Sequence, residues 1–119
     1  MNQNSDEKQA KFQSENTSIR LEHIASNLAR IKTSFNNADK EAVESVVDET
    51  ICFIEWTAAE IEPEYAEELV NIQVQLARWK LTFDIIWSDD SKRKNIEEQS
   101  STWSERVLDM SGLVSKSII

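Results

Sequence analysis

Few side chains in this 119-residue chain have the chemistry for catalysis. His23 is the single histidine and Cys52 the single cysteine. General acid–base or nucleophilic catalysis needs such a group held against a partner that activates it. His23 falls opposite the seam formed by Leu21, Ile24, Leu28 and Ile31, so helical geometry predicts that it points to solvent. Asp48 at i−4 and Glu55 at i+3 place carboxylates on the side of Cys52. Negative neighbours disfavour a thiolate, and Cys52 therefore reads as a packing residue. A single glycine cannot build a phosphate-cradling loop. No catalytic residue is assigned.

Carboxylates are the remaining chemical resource. Glu41-x-x-Glu44 followed by Asp48 puts three acids on one helix face, and Glu64-x-x-Glu67 with Glu68 opens the next helix. Acids so spaced suit Mg²⁺, which takes one or two carboxylates, water and a substrate phosphate. Over four residues the pattern resembles that of the all-α nucleotide pyrophosphohydrolases, and this resemblance implies a Mg²⁺-dependent phosphohydrolase as an alternative function. The facing Glu-x-x-Asp pair of that family is absent, as is the Glu-x-x-His of di-iron bundles. The Glu41/Glu44/Asp48 face also lies opposite Val43, Val47 and Ile54, which predicts an open surface instead of a cleft. No metal and no cofactor are assigned. Glu41, Glu44, Asp48 and Glu55 are read instead as an acidic docking face.

Charge supports that reading. The chain has 13 basic and 22 acidic residues, for a formal net charge of −9. Phosphate repulsion argues against a nucleic-acid ligand. From Asp39 to Glu68 there are 11 acids, opposed in sequence only by Lys40. A basic protein is the partner such a surface would attract, with charge raising the association rate. An acidic mimic of nucleic acid, occupying another protein's basic groove, is a further alternative. One cysteine excludes an internal disulfide and fits a reducing compartment. No segment reaches the roughly 20 apolar residues that cross a bilayer, and residues 1–18 lack the apolar run of a secretory signal. The expectation is a cytoplasmic protein without membrane contact.

The elements that position these groups follow from one glycine and one proline, too few for the turns of a β fold. Residues 1–15 are polar, with only Phe12 to anchor them, and are expected to fray. Residues 16–119 read as one domain: an all-α, up-and-down antiparallel four-helix bundle with a short flexible N-terminus. Helix one carries Leu21, Ile24, Leu28, Ile31 and Phe35 and stops at Asn36-Asn37. Helix two spans about Asp39 to Ile61, and Pro63 suits the first turn of helix three, which runs to Trp87. Ser88-Asp89-Asp90-Ser91 offers caps for helix four, which carries Ile96, Ser100, Trp103, Val107 and Met110. Gly112 is expected to cap that helix, with the tail from Leu113 folding back.

Helix three carries two apolar faces. Tyr65, Leu69, Ile72, Leu76, Trp79, Phe83 and Ile86 form one heptad seam. Val70, Val74, Ala77, Leu81 and Ile85 point about 170° away from it. Gln73 and an i,i+4 pair, Lys80 and Asp84, separate the faces on one side; Asn71, Gln75 and Thr82 do so on the other. Burying the second stripe removes roughly 300–500 Å² of apolar surface, worth about 8–12 kcal/mol before the costs of association. A homodimer through antiparallel third helices is the expected use; coverage by helices one and four is the alternative. Trp56, on the polar side of helix two, is read as a further interface anchor. The expected function is a non-enzymatic protein–protein interaction module, a small acidic adaptor, regulator or inhibitor.

Overall fold

The computed structural model describes the backbone of residues 3–117 and the side chains of residues 6–114, and every regular element among them is helical. The order is α1 (Gln3–Gln13), α2 (Thr17–Asn36), α3 (Lys40–Ala58), α4 (Pro63–Leu81), α5 (Phe83–Trp87) and α6 (Asp90–Ser117). The all-helical expectation holds.

Local chemistry explains most of the boundaries. The Asn16 side chain accepts from the Ile19 amide at 2.9 Å and opens α2; Asp39 does the same for α3 through Ala42, at 3.0 Å. Asp89 accepts from the Lys92 amide at 3.2 Å where α6 begins. Helix two was expected to reach Ile61 but stops at Ala58, ahead of a turn that leads to Glu62; the residue before a proline is pushed to extended backbone. Glu62, with φ −60° and ψ 142°, is in that conformation, and Pro63 then starts α4.

Three other expectations are corrected. The left-handed residue after α2 is Ala38 (φ 55°), not an asparagine. Around it the Asp39 amide donates to Ser34 O (3.1 Å) and the Ala38 amide to Phe35 O (3.0 Å), a Schellman ending. Helix three is two segments, because the amide of Thr82 is shared between Arg78 O and Trp79 O while its hydroxyl also donates to Arg78 O. Gly112 does not end a helix. Val114 is buried and continues the seam of Val107 and Met110, so α6 runs through the glycine.

Neighbouring helices pair in opposite directions. α2 lies between α6 and α3, and α3 lies against α4. Small residues let α2 and α6 approach closely: Ser18 Oγ donates to Ser111 O (2.9 Å) and Ser104 Oγ to Ala25 O (2.7 Å). Across α3 and α4, Gln73 Nε2 donates to Ile51 O at 3.1 Å. α4 and α6 stand further apart. The stacked rings of Trp79 and Trp103, 5.3 Å between centroids, fill the space between them.

The N-terminal segment, expected to fray, contains a helix seated on α3. Phe12, only 5% exposed, stacks on Phe53 with centroids 4.1 Å apart. Burying one phenylalanine is worth about 1.5–3 kcal/mol, enough to hold a short polar helix loosely. Its end is fixed by Arg20, 4% exposed, which donates to the carbonyls of Gln13 (3.1 Å), Glu15 (2.8 Å) and Trp56 (3.3 Å) and to Glu60 Oε1 (3.1 Å). Three chain segments thus meet on one guanidinium, whose five donors match that demand.

Candidate interaction surfaces

The second stripe of helix three lies on the outside. Val70, Val74 and Ala77 are exposed on α4, Leu81 at its end is 87% exposed, and Ile85 on α5 is 60% exposed. The first stripe is turned inward: Leu69, Ile72, Leu76, Trp79, Phe83 and Ile86 are buried, and Tyr65 packs half-buried against them. The alternative in which helices one and four cover both faces is therefore corrected. Among the described residues no helix covers Val70, Val74, Leu81 and Ile85, all of which stay exposed.

The stripe borders an open groove of about 430 Å³ between α4 and α6. Ile72, Val74 and Trp103 give it apolar walls, and Asn71, Gln75 and Arg78 give it a polar rim. Arg106 spans it with two parallel bonds to Glu68, Nε to Oε1 at 2.8 Å and NH2 to Oε2 at 2.7 Å. Those bonds hold the Glu68 carboxyl below its ordinary pKa.

The charges beside the stripe do not pair as expected. Lys80 and Asp84 were read as partners on one helix, but both turn to α3. Lys80 Nζ meets Asp48 at 2.6 Å, and Asp84 accepts from Lys40 at 2.7 Å. The reason is antiparallel packing, which brings oppositely charged residues of α3 alongside. These pairs are solvent-exposed and add little stability.

The acidic face is present on α3, although less unopposed than sequence counting implies. Glu41, Glu44 and Glu55 are exposed and make no ion pair among the described residues, whereas Asp48 is held by Lys80. Other acids of the same stretch receive cations from distant helices: Glu49 from Lys8, Glu60 from Arg20 and Glu68 from Arg106. Glu49 shows the balance. Burial pushes its carboxyl up, but hydrogen bonds from Lys8 and Asn27, with the charges of Lys8 and Arg30, outweigh this and leave it below the ordinary value. The described acids form no cluster of three or more groups placed to hold a metal ion.

Trp56 is half-buried, 5.9 Å from the Phe12 ring and 6.0 Å from that of Phe53. Its indole packs beneath α1 within the chain. Cys52, half-buried beside it, has its thiol pushed up by burial and then by Glu55 and Asp48, as its neighbours predicted. His23 is exposed as expected, with Nε2 3.0 Å from Glu15 Oε1. Arg20 and the seat of α1 escaped the sequence reading. The available signals were an asparagine cap at Asn16 and a lone Phe12 four residues before it.

No protein-family model matches the chain, and no curated protein or solved structure compared with it is significantly similar. No helix among the described residues is long and apolar enough to cross a membrane.

Proposed function

We propose that the chain is a non-catalytic protein-interaction module of the cytoplasm. In this reading α2, α3, α4–α5 and α6 form an up-and-down four-helix bundle. Two copies associate through the stripe of Val70, Val74, Ala77, Leu81 and Ile85, and the acidic strip of Glu41, Glu44, Asp48 and Glu55 on α3 meets a basic protein. The observation that carries the reading is the 87% exposure of Leu81 within an apolar line whose other members are exposed as well. A long apolar line rimmed by polar side chains is the usual mark of an interface. A second copy is the simplest occupant, because a twofold contact uses the same patch twice. Ala77 lies in the middle of the stripe, where a small side chain lets two helices approach. The stripe is smaller than the ~800 Å² per partner of a standard interface, so the contact recruits the rim at Asn71, Gln75 and Arg78, and its affinity is modest.

Light scattering coupled to size exclusion tests this. Wild type is expected to show a concentration-dependent dimer and Leu81→Glu a folded monomer. A wild type that stays monomeric up to hundreds of micromolar overturns the self-association.

A further inference from the structure

α1 displays what the outer side of α3 binds. In its sequence, QNSDEKQAKFQ, Phe12 is the one large apolar side chain, and it is the one that enters the fold. It stacks on Phe53 and tilts against Trp56. One turn earlier, Lys8 pairs with Glu49 and sits 5.8 Å from the centroid of Phe53. The binding determinants of α1 are thus a lysine and a phenylalanine four residues apart, on one helical face.

The seat is larger than its occupant. An open space of about 400 Å³ remains on the α2 side of α1, bordered by His23, Asn27 and Arg30. Another of about 250 Å³ lies on the other side, bordered by Ser45, Asp48 and Cys52. That second space borders the acidic strip at Asp48, which Lys80 holds, and at Glu49. A helix with longer apolar side chains than α1 would find room that α1 leaves unused.

We infer that the α1 seat on α3 is a recognition site for a basic amphipathic helix of another protein. That helix carries Lys and Phe four residues apart, and α1 is the resident competitor it displaces. Phe53 and Trp56 receive the aromatic anchor, Glu49 the lysine, and the exposed Glu55 a further basic group. The inference rests on the acidic-docking half of the proposed function and gives that partner its chemistry; it is independent of the α4–α5 stripe.

The probe is a fluorescein-labelled peptide with the sequence of residues 3–16, titrated by anisotropy against the full-length chain. Phe12→Ala removes the resident anchor, so the folded variant is expected to bind the peptide at least ~10-fold more tightly than wild type. Lys8→Glu, which keeps the ring and reverses the charge facing Glu49, is expected to act in the same direction and serves if Phe12→Ala fails to fold. A peptide with alanine in place of its own phenylalanine is expected not to bind, and raised salt to weaken the intact peptide several-fold. Absence of saturable binding to either folded variant overturns the inference, as does equal binding by wild type and variants. A wild-type dimer dissolved by Phe12→Ala would make the α1 of a second copy the occupant and would overturn it too. Dimer loss in Leu81→Glu alone bears on the stripe and leaves this seat untouched.

Discussion

Ala38 holds a left-handed conformation that costs an L-residue with a Cβ about 1–2 kcal/mol. It is exposed and ends α2 in a Schellman turn, a place that glycine occupies without strain. Ala38→Gly relieves that strain while adding freedom to the unfolded chain. The net expectation is a gain of about 0.5–1 kcal/mol, seen as a Tm rise of roughly 2–5 °C by calorimetry. An unchanged or lower Tm would show that the turn carries no strain at this residue. Ser100 offers a contrast at the same scale, since its fully buried hydroxyl has no hydrogen-bond partner among the described residues. Neither feature is visible in sequence. A backbone angle and an unmet donor are properties of the folded chain, and composition around Asn36-Asn37 pointed to the wrong residue for the turn.

At the level of elements, α1 depends on a carboxylate held below its ordinary pKa. The sign follows from linkage. A depressed folded pKa gives stability that is complete above the unfolded value and is lost as pH falls through the folded one. The Glu49 contribution is therefore full above about pH 5 and disappears as pH drops below about 4.3, the unperturbed glutamate value. The Tm difference between wild type and Glu49→Gln is expected to be open at pH 7 and to close at acid pH. A difference that persists unchanged at pH 3 would separate Glu49 from the docking of α1. The helices with repeating seams were legible because an α-helix places every third or fourth residue on one face, and α2, α3 and α6 each supply at least four such residues. α1 supplies one. Its partner Phe53 lies 41 positions away, a distance that local periodicity does not span. The break at Thr82 was hidden for the opposite reason: the apolar period continues across it through Phe83 and Ile86, so the pattern read as one helix.

For the molecule as a whole, the packing is uneven. α2 is covered by α6 and α3, whereas α1 touches the rest through one ring and a few polar bonds. Amide hydrogen exchange is expected to follow that gradient. The amides of Leu21 to Ile31 should exchange slowest, near the rate set by global unfolding, and those of α1 orders of magnitude faster. Uniform protection across both helices would contradict a loosely seated α1. The two outward surfaces were legible to different degrees. The stripe on helix three was legible from spacing as a second face, because two seams on one helix cannot both face the same core; that it stays exposed, uncovered by another helix of the chain, came only from the fold. The acidic strip was only partly legible, since the cations that meet Asp48, Glu49, Glu60 and Glu68 come from helices distant in the chain.

The close fit of α2 against α6 has a temporal side. Ser18 bonds to the carbonyl of Ser111, 93 positions later, and Ala25 to Ser104, 79 later. During synthesis at about 5–20 residues per second, α2 leaves the ribosome several seconds before its principal neighbour exists. For that interval the side of α2 meant for α6 is an unfilled template, open to chaperones or to the α6 of another nascent copy. A ribosome stalled within α4 would leave this surface bare for as long as it paused.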